Sequence, residues 1–127
     1  MVKFLVIDDE GEFMQYVSDV TKRIKGAEVH GATNAKDAMQ IISTIRPDIV
    51  LADYLLMDSQ SGAECFRHAK KINPKVVGIM ITGCVDKAVK TECFNAGVSE
   101  IIEKPVPSLA ALRTKLEGYA QQVLLAR

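Results

Sequence analysis

Five polar residues stand at or just after short apolar runs of the sequence: Asp8, Asp9, Asp53, Thr82 and Lys104. Carboxylates held close together repel one another, and the repulsion raises the pKa of at least one of them. A divalent cation relieves that repulsion, and Mg²⁺ takes carboxylate oxygens as ligands. With the ion in place, one carboxylate can act as a nucleophile toward a phosphoryl group. A hydroxyl and an ammonium nearby would then stabilise the phosphoryl oxygens.

The apolar runs are continuous rather than alternating, which favours parallel strands buried on both faces. We predict five strands: Phe4–Ile7, a short one around Val29, Ile49–Ala52, Val76–Ile81 and Ile101–Ile102. Apolar residues at helical spacing predict five helices: Phe13–Ile24, Ala35–Ile45, Ser61–Ile72, Asp86–Ala96 and a last one that begins at Ser108. Glycine or proline follows each of the first four helices, as is typical of helix ends.

Strands that alternate with helices in one short chain favour an α/β fold. The predicted architecture is a flavodoxin-like, doubly wound sheet of five parallel strands in the order 2-1-3-4-5, with five helices. In such sheets the ligand site lies outside the carboxyl ends of the strands, where the strand order reverses. Strands one, three, four and five are neighbours in this order, so Asp8, Asp53 and Lys104 are expected to converge on one edge.

The composition is that of a globular protein with a single domain over residues 1–127. Hydrophobic residues make up 48% of the chain, and 16 basic residues balance 16 acidic ones. This balance argues against direct nucleic-acid binding and against binding to an anionic membrane, since both favour an excess of basic residues. No apolar run approaches the roughly 18 residues of a membrane span, and three cysteines without a disulfide pattern suit a reducing compartment. We therefore expect a cytoplasmic protein.

The ordered set of motifs resembles the receiver domain of two-component response regulators, the family that includes the chemotaxis regulators. Four segments carry the resemblance: Phe4–Glu10, Ile49–Tyr54, Ile79–Gly83 and Ala96–Pro105. Each motif is weak alone, but together they span essentially the whole chain in the right order. The resemblance implies a signalling module rather than a conventional enzyme. Such a module accepts phosphate from a histidine kinase or a histidine phosphotransfer protein and hydrolyses it slowly.

The resemblance also implies a role for each carboxylate. Asp53 would be the phosphoacceptor and would contribute to Mg²⁺ binding. Asp9 would be a direct Mg²⁺ ligand, and Asp8 would act largely through water. The backbone carbonyl of Leu55 would complete the protein ligands.

Thr82 and Lys104 would complete the site. By the resemblance, Thr82 is the switch hydroxyl and Lys104 pairs with the phosphoryl group, with a cis peptide bond before Pro105. Output would pass through the face formed by the fourth helix, the fifth strand and the fifth helix. That face would bind a downstream protein, an effector domain missing from this chain, or a second copy in a homodimer.

Three features depart from the family pattern. Ile101 stands where the family usually has an aromatic switch residue, so we expect coupling to the loop after the fourth strand to run through Thr82. The loop after Asp53 lacks the usual proline and places Gly62 nine residues on, which we interpret as a one-residue insertion. Leu55 and Cys84 occupy the two positions that tune hydrolysis, and neither orients a water well.

Three other functions fit the sequence less well. A flavodoxin-like cofactor site would need a Ser-, Thr- or Gly-rich first turn, whereas this chain has acidic residues there. A phosphatase of the haloacid-dehalogenase type needs a second aspartate two residues after its nucleophile, a position that Leu55 occupies. The main alternative is a receiver-like scaffold that binds partners without phosphorylation. Ile101 and the altered loop favour it, and the intact Asp53, Thr82 and Lys104 argue against it.

Overall fold

The computed structural model describes residues 1–58 and 60–127 and contains the five strands and five helices expected. The strands are β1 (Val2–Ile7), β2 (Ala27–Ala32), β3 (Ile49–Ala52), β4 (Val77–Thr82) and β5 (Glu100–Glu103). The helices are α1 (Gly11–Lys22), α2 (Ala35–Ile45), α3 (Gly62–Ile72), α4 (Lys87–Asn95) and α5 (Leu109–Leu125). Most boundaries lie within a few residues of the predicted ones.

All strand pairs are parallel, and the sheet has the predicted order β2-β1-β3-β4-β5. The register sets Ile7 of β1 beside Ala52 of β3, so the residues that follow these strands leave the sheet side by side. Thr82 of β4 is likewise level with Glu103 of β5. The carboxyl ends of these four strands therefore form one edge, as expected.

Both faces of the sheet are buried, which explains the continuous apolar runs. Alternate strand residues such as Leu5 and Val50 pack with α2, α3 and α4 on one face. Their neighbours, such as Phe4 and Leu51, pack with α1 and α5 on the other. Burial at this level stabilises the fold by about 1.5–3 kcal/mol for each large apolar side chain. The strands that carry the polar edge are thus held rigidly.

Side-chain caps start four of the helices, at residues that the sequence marks as helix beginnings. Asn34, Asp86 and Ser108 each accept a hydrogen bond from the backbone N–H three residues on. Ser61 forms a reciprocal capping box with Glu64 at the start of α3. Such caps each stabilise a helix by about 0.5–2 kcal/mol. In the described parts of the chain, 1–58 and 60–127, there is no helix long and apolar enough to cross a membrane.

Candidate functional site

Two buried carboxylates meet at the polar edge of the sheet. Asp8 follows β1 and Asp53 follows β3, and their exposed fractions are only 2% and 6%. The backbone N–H of Asp53 donates to the carbonyl of Ile7 at 2.9 Å, which extends the β1–β3 ladder as far as Asp53. The sequence-predicted pairing of these two acids is therefore present.

An ammonium group sits between these carboxylates. The Nζ atom of Lys104 lies 2.9 Å from one oxygen each of Asp8, Glu10 and Asp53. The ring of Phe13 lies 4.3 Å from the same nitrogen and covers it with a cation–π contact. The bond between Lys104 and Pro105 is cis, as expected. Lys104 thus joins the carboxyl ends of β1, β3 and β5.

The charges of this cluster influence one another strongly. Burial raises the pKa of the Asp8 carboxyl above its ordinary value, and the hydrogen bond from Lys104 offsets only part of that effect. Burial by itself would lower the pKa of the Lys104 ammonium, but its hydrogen bonds to Asp8, Asp53 and Glu10 raise that pKa above its ordinary value. Lys104 is therefore positively charged throughout the neutral pH range.

Glu10 belongs to this cluster, although the sequence analysis assigned it no role. Carboxylate oxygens of Asp8, Glu10 and Asp53 lie within 4.8 Å of one another, a spacing that suits a metal ion. Asp9 is half-buried and lies outside this group. The backbone N–H of Glu10 donates to the Asp8 carboxylate at 2.8 Å, which fixes the turn between β1 and α1. The run Asp8-Asp9-Glu10 was the available signal, since a tight turn can bring its first and third side chains to one side.

Thr82 lies at the same edge of the sheet and is buried. Its hydroxyl oxygen accepts the backbone N–H of Cys84 at 3.2 Å, and its carbonyl accepts the backbone N–H of Lys104 at 2.9 Å. The predicted hydroxyl and ammonium are therefore attached to adjacent strands and tied together by the backbone. Ile101 is partly buried and packs against the core cluster on the α2–α3–α4 face of the sheet.

The loop after Asp53 is held at both ends. The N–H of Leu55 donates to the Asp53 carboxylate at 3.3 Å, and the N–H of Gly62 donates to the carbonyl of Tyr54 at 2.9 Å. A Cβ atom on Gly62 would overlap the carbonyl oxygen of Asp53, so only glycine allows α3 to begin this close to Asp53. Asp58 accepts the first two N–H groups of α2, both at 3.1 Å. The loop in which we interpret a one-residue insertion includes Ser59, which lies outside the described residues.

The family of the chain follows from comparison with known proteins. The model of the response regulator receiver domain matches residues 4–117. The chain belongs to this family. The receiver fold also agrees with solved structures: a CheY-like receiver domain protein from Methanospirillum hungatei superimposes with a TM-score of 0.89, covering 100% of this chain and 99% of that one at 24% identity.

Curated relatives of this receiver domain include a chemotaxis protein and a larger enzyme. The chemotaxis protein CheY of Thermotoga maritima is 29% identical over 104 residues, which cover 81% of this receiver domain and 85% of CheY. A protein-glutamate methylesterase/protein-glutamine glutaminase of a Nocardioides species is 33% identical over 107 residues. The match covers 82% of this receiver domain but 29% of that protein. Receiver domains therefore occur both as most of a protein and as a part of larger ones.

The donor set at the polar edge fits a Mg²⁺ ion. Its groups are hard carboxylate oxygens, two of them on buried residues, and they are held close enough to share one ion. Asp8 and Asp53 are positioned to hold it, and Glu10 lies within reach of the same place. The family pattern adds Asp9 and the Leu55 carbonyl, which border this group along the chain. Mg²⁺ binding by these residues is a prediction from the family and from this geometry.

We expect Mg²⁺ to stabilise the folded domain, because the ion relieves carboxylate repulsion in the native state only. At a hundredfold excess over Kd, the gain is about 2.7 kcal/mol, or several degrees in Tm. Asp9→Asn should largely remove the dependence of Tm on Mg²⁺, because the family pattern assigns Asp9 as a direct ligand of the ion. Lys104→Met should enlarge it, since the three carboxylates then lose their internal counterion. Thermal melts across a Mg²⁺ titration measure both effects, and a parent melting curve that ignores Mg²⁺ would contradict the site.

Proposed function

We propose that this receiver domain accepts a phosphoryl group on Asp53 in a Mg²⁺-dependent reaction and relays the signal through a conformational change. The observation that carries the proposal is the contact of the Lys104 ammonium with both Asp8 and Asp53 at the carboxyl edge of the sheet. A buried carboxylate beside a fixed cation and a second carboxylate is the arrangement that a phosphoacceptor needs. The domain would catalyse its own phosphorylation and its own slow dephosphorylation, as a signalling module rather than a conventional enzyme.

The residues of the chain divide the transfer between them. A carboxylate oxygen of Asp53 attacks the phosphorus of a phosphohistidine, and a P–O bond forms as the P–N bond breaks. The electron pair of the broken bond stays with the imidazole of the donor. Lys104 offsets negative charge on the phosphoryl oxygens, and the Thr82 hydroxyl donates a hydrogen bond to one of them. Asp8 and Asp53, with Glu10 in reach, would hold a Mg²⁺ ion beside these oxygens, and the bound ion would neutralise further charge on them.

A groove beside the cluster fits the approach of the phosphodonor protein. It has a volume of about 550 Å³ and runs between α1 and the segment that follows β5. Its lining combines apolar and charged side chains: Glu10, Phe13, Tyr16, Lys104, Pro105, Val106 and Leu109. Tyr16 and Leu109 expose 59% and 38% of their surface there. A histidine kinase or histidine phosphotransfer protein that covers these groups would bring its phosphohistidine next to Lys104.

The output side is part of the same proposal. The face formed by α4, β5 and α5 would bind a downstream protein, an effector domain or a second copy of the chain. Phe94 on α4 is 51% exposed, so this helix offers an apolar side chain to a partner. We place the whole reaction in the cytoplasm, without direct contact to nucleic acid or membrane.

Intact mass spectrometry after incubation with acetyl phosphate tests this function. The parent protein should gain one phosphoryl group in the presence of Mg²⁺ and none when the ion is chelated. The receiver-like scaffold, the main alternative, predicts no mass gain under either condition. A folded protein that stays unlabelled with Mg²⁺ and excess donor would therefore favour the scaffold.

A further inference from the structure

The residue that follows the phosphoacceptor reaches across to α4. The hydroxyl of Tyr54 donates to a carboxylate oxygen of Glu92 at 2.7 Å. The other oxygen of Glu92 lies 3.4 Å from the guanidinium of Arg67 on α3. One side chain of α4 is thus bonded both to the loop that carries Asp53 and to α3. These contacts lie outside the cluster around Lys104.

Helix α4 contributes few buried side chains to the part of the domain that the structure describes. Within α4, only Val89 and Cys93 are buried. Tyr54 packs against the same core cluster as these two residues, together with the partly buried Ile101 and Cys84. Ile101 stands where an aromatic side chain is usual in the family, and the isoleucine side chain has no hydrogen-bond donor or acceptor. A polar link between the acceptor loop and α4 therefore passes through Tyr54.

We propose that the Tyr54–Glu92 hydrogen bond couples the acceptor loop to α4, so that phosphorylation of Asp53 changes the position or stability of this helix. The inference rests on the proposed function, because it assigns a route for the signal that starts at Asp53. Tyr54 is joined to Asp53 by one peptide bond, so a shift of the acceptor backbone displaces its ring. The rigid ring carries that displacement to Glu92. Tyr54 is a positioning residue in this scheme and does not touch the phosphoryl group.

The protonation state of Tyr54 suits this role. The hydrogen bond to Glu92, with help from burial, raises the pKa of the Tyr54 hydroxyl to about 12. The hydroxyl therefore keeps its proton over the whole neutral range and remains a donor. A hydrogen bond to an ionised acceptor is also stronger than one between neutral groups.

Tyr54→Phe tests the link, because it removes one oxygen and leaves the ring. Tyr119→Phe is a matched control, since the Tyr119 hydroxyl donates at 2.7 Å to another glutamate, Glu100, away from the acceptor loop. In the unlabelled protein, Tyr54→Phe should speed amide hydrogen exchange in residues 87–95 by about tenfold. Tyr119→Phe should leave that segment unchanged. Unaltered exchange of residues 87–95 in Tyr54→Phe would overturn the proposal.

Glu92→Ala removes the other partner and provides a second variant. Glu92→Ala also loses the contact with Arg67, so it should be the faster of the two single variants. The double variant should exchange no faster in residues 87–95 than Glu92→Ala, because each single variant already lacks the hydrogen bond between Tyr54 and Glu92. Effects that simply multiply would show that Tyr54 and Glu92 act independently, which would also overturn the proposal.

A comparison with and without acetyl phosphate then tests the coupling itself. Both tyrosine variants should reach the labelling level of the parent. Phosphorylation should change exchange in residues 87–95 of the parent and of Tyr119→Phe, and this change should be lost or greatly reduced in Tyr54→Phe. A full response in labelled Tyr54→Phe would overturn the coupling. If the parent is not labelled at all, the proposed function fails and the coupling to phosphorylation fails with it. Exchange in the unlabelled variants would still decide whether the Tyr54–Glu92 hydrogen bond stabilises α4.

Discussion

Asp53→Asn is expected to abolish labelling by acetyl phosphate while leaving the domain folded. The amide has no anionic oxygen to attack phosphorus, yet it matches the carboxylate in shape. Its side-chain oxygen can still accept the hydrogen bond that Lys104 donates to Asp53 in the parent. The loss should therefore be complete in the mass spectrum and small in the melting temperature. Intact mass after incubation with donor and Mg²⁺ measures the first quantity, and a thermal melt measures the second.

Glu103→Gln is a suitable control for this experiment. Glu103 is an exposed carboxylate beside Lys104 at the end of β5, so its removal changes the local charge without touching the acceptor. The control should be labelled like the parent. Undiminished labelling of Asp53→Asn would move the phosphorylation site to another residue and would contradict the assignment of Asp53.

The second large effect concerns the lifetime of the phosphorylated form. Hydrolysis needs a water in line with the bond between Asp53 and phosphorus, and a side chain that orients this water lowers the entropic cost. Leu55 is apolar, and Cys84 is at best a weak hydrogen-bond partner. We therefore expect the aspartyl phosphate to be hydrolysed more slowly in this chain than is usual for receiver domains. Leu55→Asn with Cys84→Glu should speed the loss of phosphate by roughly ten- to a hundredfold.

The structure supports the choice of these two positions. Leu55 is 59% exposed at the rim, and its N–H donates to the Asp53 carboxylate. Cys84 is half-buried, and its N–H donates to the Thr82 hydroxyl. New polar side chains at these positions therefore start next to Asp53 and Thr82. Decay of labelled protein after donor removal gives the rate, with each single variant as a control. A double variant that decays like the parent would shift attention to the loop from Leu56 to Ser61.

The fold was predictable because its determinants are local or periodic. Continuous runs such as Ile49–Ala52 indicate doubly buried strands, and capping residues such as Asn34 mark helix starts. The weakest predictions were the outer strands β2 and β5, whose residues are mostly partly buried rather than fully buried. An edge strand has a neighbouring strand on one side only, so fewer of its positions need an apolar residue than in a central strand.

The site was predictable to the extent that it follows from strand order. Asp8, Asp53, Thr82 and Lys104 lie at one edge because parallel strands end there. Glu10 could not be assigned in the same way, because its inclusion depends on the turn that the Asp8 carboxylate holds. Contacts between distant segments were also beyond the sequence. The link from Tyr54 to Glu92 spans 38 residues and depends on how α4 lies over the acceptor loop.

The contact of Lys104 with three carboxylates has a consequence for how the domain would respond to its ionic surroundings. The Lys104 ammonium and an incoming cation bind the same carboxylate oxygens, so the lysine competes with the cation for the site. The apparent Kd of the cation is then the intrinsic value divided by the fraction of molecules in which the ammonium has moved aside. The occupancy of the metal site would therefore change with the concentration of free Mg²⁺, and the site would not be saturated at trace concentrations of the ion. Phosphorylation would give the Lys104 ammonium a new anionic partner away from these carboxylates. Metal binding and phosphorylation would therefore favour each other through this one side chain.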